Sequence, residues 1–183
     1  MGRLIRGCQR VLVFDTVMQY GQGPRQNRLP GFLIFTQPGE LVSYWRRYRG
    51  GRFRILYQPG YYADEHFNSV ARLVAEVRDT VFAIDEVWHF CKPSWTPEAL
   101  RFLLRCGRHR GVSVIYTAQR PANLSGDIRS LSTQMRVFRL QEELDLAALR
   151  GRLPSPALNQ VPSLPDRSHI WRDEFNNWKL VRG

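Results

Sequence analysis

Residues Val81 to Ile84 form an apolar run that ends in two adjacent carboxylates, Asp85 and Glu86. A run this short, with Thr80 before it and acids after it, reads as a strand buried on both faces, the usual condition in a parallel sheet. Acids leaving such a strand stand at the carboxyl edge of the sheet, where open α/β folds bind their ligands. Arg10-Val11-Leu12-Val13-Phe14-Asp15 has the same form and reads as a second strand of this kind. Ahead of it, Leu4, Ile5 and Cys8 fall on one helical face, so the sequence opens in the last turns of a helix.

The rest of the chain alternates strands and helices. Residues 19–31 are rich in Gly, Pro, Gln and Arg and read as a loop. A short strand over 32–35 precedes a helix over 38–48, which opens at Pro38-Gly39-Glu40 and is followed by Gly50-Gly51. Residues 53–57 read as a strand. Asp64 caps a helix whose apolar face is Phe67, Val70, Ala71, Val74 and Val77. Thr96-Pro97-Glu98 places an N-cap, a proline and an acid where a helix start needs them, and that helix buries Leu100, Leu103 and Leu104. A strand over 111–116 runs into Thr117, Gln119, Arg120 and Pro121. A short helix near 124–131, a strand over 136–140 and a helix over 142–149 follow. Residues 154–165 hold four prolines and read as an extended connector, and the chain closes in a hairpin around Asn176-Asn177. This order predicts an α/β fold, a mostly parallel doubly wound sheet with right-handed crossovers. Residues 1–152 are its core, and 153–183 a connector and hairpin on the same domain.

Bulk properties narrow the class. At 183 residues the chain is long enough for one domain with a sizeable core. No apolar run approaches the roughly 20 residues that cross a bilayer, and no signal peptide opens the sequence. The expected setting is the cytoplasm, with association with a virus particle as a variant. Lys and Arg total 27 against 16 acids, a net charge of +11. All but Lys92 and Lys179 of those bases are arginine. A surface this basic favours polyanions, nucleic acid first among them. The three cysteines are scattered without a CxxC, so neither a zinc ribbon nor a redox motif is supported.

Asp85-Glu86 at a strand exit suits hydrolysis of a nucleotide. Asp85 would hold Mg²⁺, directly or through water, and Glu86 would orient or deprotonate the attacking water. A turn cap after a buried strand has the same appearance. Gln119 leaves the next strand and would lie beside the pair if the two strands are neighbours, close enough to sense a γ-phosphate. A solvent-facing turn amide is its other reading. Two arginine groups are candidates for nucleic-acid contact. Arg101, Arg105 and Arg108 lie at helical spacing, as they would on any solvated helix face. Arg46, Arg47 and Arg49 belong to a segment that mixes five arginines with aromatics (residues 44–54). Charge plus stacking suits single strands, while Tyr44, Trp45 and Tyr48 equally suit the buried side of an amphipathic helix.

Taken together these segments resemble the FtsK–HerA class of P-loop ATPases. Residues 10–15 with Tyr20 are similar to the second strand of that class, and 81–86 to its Walker B segment. Residues 107–121 resemble its sensor strand with the helix before it, and 136–140 the strand after it. The resemblance covers about residues 1–150. It implies a ring-forming, DNA-translocating or DNA-packaging motor that uses Mg²⁺ and ATP. Asp85 would be the magnesium ligand, with Asp15 beside it at the cofactor. Glu86 would be the catalytic carboxylate and Gln119 the sensor. Arg136, with Arg120 as second candidate, would be the arginine finger offered to a neighbouring subunit, where its planar fork suits phosphate. A surface arginine at a strand start is the plain reading of Arg136.

One part of the pattern is missing. The class places GxxxxGK[ST] between its first strand and first helix, and the backbone N–H groups and lysine of that loop hold the phosphates. No Gly-Lys pair occurs in this sequence. The expectation is an N-terminally truncated ATPase domain with its P-loop encoded upstream. The alternative is a catalytically inactive relative that binds nucleic acid or assembles with partners. A third reading is an unrelated α/β binding module whose acidic pair is incidental.

Overall fold

In the computed structural model the described residues are 1–21 and 28–183. Residues 22–27 of the loop expected over 19–31 lie outside them. The chain divides into two compact units, Met1–Gln119 and Arg120–Gly183.

The first unit is built on five parallel strands: β1 (Arg10–Phe14), β2 (Leu33–Phe35), β3 (Phe53–Tyr57), β4 (Val81–Ile84) and β5 (Ser113–Tyr116), in the spatial order β2-β3-β1-β4-β5. β1 is central, and Val11 to Phe14 have no solvent exposure. That is why its sequence is continuously apolar rather than alternating. Its side chains nevertheless divide between two cores. Phe14 meets Tyr57, Phe67 and Phe90 with ring centroids 5.2–5.6 Å apart. Phe67 and Phe90 stack at 4.1 Å. On the opposite face, Val11 and Val13 pack with Ile5, Tyr20, Leu29, Leu56 and Ala83.

Three helices cover the Phe14 face. They are α2 (Pro38–Tyr48), α3 (Ala63–Ala75) and α4 (Glu98–Cys106). α2 buries Leu41 and Trp45, and Trp45 packs on Phe53 of β3 at 5.1 Å. α3 buries Phe67, Val70, Ala71 and Val74, the expected stripe, with Val77 buried just past its end. α4 starts two residues after Thr96, with Pro97 at the N-cap, and buries Leu100 and Leu103 while Leu104 is half-buried. The short α1 (Gly2–Ile5) lies on the other face, where Ile5 is buried and Leu4 is 45% exposed. One apolar contact of the expected helical face is therefore lost to solvent. Among the described residues no helix is long and apolar enough to cross a membrane.

The second unit departs from the sequence reading. The strand expected over 136–140 as a further parallel member is β6 (Met135–Val137) in a separate sheet. It pairs antiparallel with β7 (His169–Arg172), which pairs antiparallel with β8 (Trp178–Val181). Val137 points inward beside Ile170, while Arg136 and Phe138 point out. This is the half-buried alternation of a one-sided antiparallel strand. The proline segment is not an extended connector either. Pro154 is the N-cap of a short helix, Ser155–Leu158, Pro156 lies in its first turn, and Val161–Ser163 form a 3₁₀ turn. Proline is tolerated in a first helical turn because its missing N–H had no intrahelical partner there. Ala157, Val161 and Leu164 share one buried cluster with Val137, Leu149, Leu153 and Ile170. The residue pair 152/153 thus falls inside this core.

A buried carboxylate organises the start of this unit. Asp145, in the helix Glu143–Leu149, is 3% exposed in its side chain and accepts from Arg120 Nε at 3.1 Å and from the Ala122 backbone N–H at 3.0 Å. Asp145→Ala leaves that N–H unsatisfied and is expected to cost about 1–3 kcal/mol in urea unfolding. His169 supplies a pH test. Burial, aided by the charge of Arg136, lowers its pKa below 6.5. The neutral ring therefore favours the folded state, a contribution present above pH 6.5 and lost as pH falls through the lowered value. The midpoint drop between pH 7.5 and 5.5 is expected to shrink in His169→Phe.

Candidate active site

Four of the five strands, β3, β1, β4 and β5, extend their ladders by one residue past the carboxyl end. Gln58 N–H bonds Phe35 O, Asp15 N–H bonds Tyr57 O, Asp85 N–H bonds Phe14 O, and Thr117 N–H bonds Ile84 O, all at 2.8–3.0 Å. Gln58, Asp15, Asp85 and Thr117 are thereby set in one row along the carboxyl edge. The first three are at most 1% exposed.

Asp15 spends both oxygens on the protein. Oδ1 accepts from the Gln19 N–H at 3.1 Å, and Oδ2 from the Tyr20 N–H at 3.0 Å and Gln58 Nε2 at 2.7 Å. Burial raises its pKa, the three hydrogen bonds oppose that, and the Asp85 charge adds to it. The candidate cofactor residue Asp15 is thus placed behind the site, folding the chain at 15–20 back onto the sheet. That fold-back covers Asp85. Gln19 Nε2 donates to Asp85 Oδ2 at 2.7 Å, and the Tyr20 hydroxyl approaches Oδ1 at 3.4 Å. Burial first, and then the charges of Asp85 and Asp15, push the Tyr20 phenol well above its ordinary pKa, so it remains a donor.

Thr117 joins the two carboxylate residues. Its hydroxyl donates to Asp85 Oδ1 at 2.8 Å and accepts from the Glu86 N–H at 3.0 Å. Glu86 adopts the left-handed conformation, φ 52° and ψ 55°. Its side chain accepts from Trp88 Nε1 at 2.6 Å and from Gln119 Nε2 at 3.2 Å. Asp85, Glu86 and Gln119, separated by up to 34 positions in sequence, therefore form one constellation because β4 and β5 are neighbours. Gln19, Gln58 and Thr117 were absent from the sequence-based set. Their signal was position: each follows a strand that ends at the same edge.

The remaining candidates have other surroundings. Arg120 and Arg136 belong to the second unit, Arg120 bound to Asp145 and Arg136 exposed on β6 opposite Trp171. Arg46, Arg47 and Arg49 are exposed around the end of α2, where Arg49 pairs with Glu76 at 2.6 Å. Arg101 is half-buried on α4 and donates to Thr96 O, while Arg105 and Arg108 are exposed.

The acidic pair fits Mg²⁺ held largely through water, since this ion takes few protein oxygens. Asp85 and Glu86 supply carboxylates, and Thr117 a hydroxyl. Among the described residues no group of three or more His, Cys, Asp or Glu side chains converges on a metal position. The triphosphate of ATP finds no matching cradle among them. The sequence has no Gly-Lys pair, and the glycine nearest the network, Gly21, is pressed against Gln58, where an added Cβ would lie 2.7 Å from Oε1.

No family model matches the sequence, and no curated protein does. Solved structures do match. The genome packaging NTPase B204 from Sulfolobus turreted icosahedral virus 2, in complex with AMPPCP, superposes with a TM-score of 0.77 over 99% of this chain and 86% of that one, at 16% identity. The chain has the fold of a viral genome packaging NTPase. The same protein in complex with ATP-gammaS gives a TM-score of 0.75 at 16% identity, again over 99% and 86% of the two chains. B204 described as the DNA-packaging ATPase from Sulfolobus turreted icosahedral virus gives 0.72, with the same identity and coverage. The packaging-NTPase fold is the one that the likeness to FtsK–HerA ATPases implies.

The backbone at Glu86 is open to measurement. A left-handed non-glycine residue costs on the order of 1 kcal/mol, and glycine adopts the conformation freely. Glu86→Gly is expected to be about 1 kcal/mol more stable than Glu86→Ala in urea unfolding, although both lack the carboxylate.

Proposed function

We propose that this chain is the water-activating part of an ATPase motor domain that translocates or packages DNA. The observation that carries the reading is the Asp85–Thr117–Glu86–Gln119 constellation, set at the carboxyl edge of a packaging-NTPase fold. The phosphate-holding segment is supplied from outside the described residues. Mg²⁺, when bound, would neutralise charge that develops on the phosphates. Asp85 is the residue that would hold it. Thr117 fixes the Asp85 carboxylate through its hydroxyl proton.

Glu86 orients the attacking water and takes its proton. Trp88 anchors one of its oxygens at 2.6 Å, and Gln119 holds the other more loosely at 3.2 Å. The Gln119 amide that turns toward a phosphate releases Glu86 Oε1 for water, which gives a sensor its physical content. Asp15 positions the 15–20 segment and touches no ligand. Arg136 is the finger offered to a neighbouring copy in a ring. Arg120, already bound to Asp145, is less available for that role. A second reading, a nucleic-acid-binding relative without hydrolysis, is favoured by the lack of a Gly-Lys pair.

Mg²⁺-dependent ATP turnover decides between them. It is measured on the chain itself and on the product of any in-frame coding sequence upstream of Met1. Glu86→Gln is expected to lower turnover by about 10²–10⁴-fold with nucleotide affinity retained. Turnover that survives Glu86→Gln overturns the assignment. Failure of both proteins to bind Mg-ATP at millimolar concentration, with salt-dependent DNA retention intact, selects the second reading.

A further inference from the structure

Every helix on the Phe14 face runs from the carboxyl edge of the sheet to its amino edge, and its charge follows. α2 begins with Glu40 and ends with Arg46 and Arg47; α3 begins with Asp64 and Glu65; α4 begins with Glu98 and ends with Arg105. Acids at helix starts and bases at helix ends offset the helix dipoles, and need no ligand to explain them.

The connections beyond those ends are a different matter. Arg52 immediately precedes β3, Arg78 lies between α3 and β4, and Arg108 lies in the 3₁₀ turn Gly107–Arg110 between α4 and β5. All three are exposed, and among the described residues no hydrogen bond, ion pair or ring contact engages their side chains. Because β3, β4 and β5 are parallel members of one sheet, the three connections fall on one edge. β3, β1, β4 and β5 are consecutive, so the row spans three strand spacings, about 14 Å.

The surroundings are basic as well. A depression of about 600 Å³ between the first two connections is lined by Arg10, Arg49, Gly50, Glu76, Val77 and Arg78. Arg10 is committed to the loop carbonyls of Arg49 and Gly51, and Arg49 to Glu76. Glu76 and Asp79 are the exposed acids at this edge. Glu76 is already neutralised, so the unpaired arginines prevail.

We propose that this amino edge is the surface on which the motor domain seats the phosphate backbone of duplex DNA, with Arg52, Arg78 and Arg108 as its contacts. It lies at the opposite edge of the sheet from Asp85 and Glu86. The partner is a polyanion because the row offers guanidinium groups, although Phe102 is exposed in the depression that Glu76 and Arg110 also line. Duplex DNA presents one charge per about 1.7 Å of axis, so a row of this length faces several phosphates at once. The choice of DNA rests on the motor reading above.

The test compares two triple variants with the same net charge. Arg52→Gln/Arg78→Gln/Arg108→Gln removes the row. Arg139→Gln/Arg150→Gln/Arg182→Gln removes three exposed arginines of the second unit. Affinity for a 30-base-pair duplex, measured from about 0.05 to 0.5 M salt, gives the slope of log K against log salt. The row variant is expected to lose about 0.9 of slope per phosphate contact, about 2.7 in all. If the lines converge near 1 M salt, that is on the order of 10²-fold weaker binding at 0.15 M. The control variant is expected to keep the slope within about one unit. Equal losses in both variants overturn the surface, as does failure of the unaltered chain to bind the duplex while it retains polyglutamate. Unchanged thermal unfolding of the row variant separates lost contacts from lost fold. Loss of slope in the row variant without any ATP turnover keeps the surface and rejects the motor reading. Turnover with an unchanged slope does the reverse.

Discussion

Two carboxylates with almost no access to water, Asp15 and Asp85, hold the carboxyl edge of the sheet together. A buried carboxylate is costly unless donors surround it. Here the donors come from several strand exits at once: Gln58 after β3, Thr117 after β5, and the chain at 19–20 after β1. The requirement to satisfy these oxygens fixes where the first segment turns, and which side chains stand beside the Glu86 carboxylate. Remove either acid and several buried donors lose their partner together.

This arrangement also orders the chemistry by depth. Asp15 lies behind, Asp85 beneath the 19–20 segment, and Glu86 is half-buried with its oxygens held by Trp88 and Gln119. The outermost carboxylate is the one whose hydrogen bonds are easiest to exchange. A hydrolytic site needs that order, since the group that meets water must be reachable while the groups that position it are not.

The first unit was legible because its inner strands β1, β3 and β4, largely buried on both faces, leave clear apolar runs. Helices α2, α3 and α4 appeared where the amphipathic period placed them, although Asp64 lies within the first turn of α3 rather than capping it and Pro97 rather than Thr96 is the N-cap of α4. Asp85, Glu86 and Gln119 followed from one inference, that the strand over 81–84 and the strand over 113–116 are neighbours. Gln19 and Gln58 did not follow, because their role depends on which strand exits converge, and strand order is not written in local pattern. The second unit was harder. Val137 and Ile170 find each other across more than 30 residues, and alternation in Arg136-Val137-Phe138 says that a strand is one-sided without naming its partner. The proline segment misled because proline count signals an extended chain. Proline at a helix start is as compatible with burial as any other residue.

The backbone at Glu86 bears on a question that composition leaves open. Left-handed geometry after a strand is a place where glycine or asparagine is at ease and glutamate is not. This turn holds a long, charged side chain in the unfavourable geometry and gives it two donors. Position 86 thus joins a strained backbone to a carboxylate held by two side-chain donors at the carboxyl edge of the sheet.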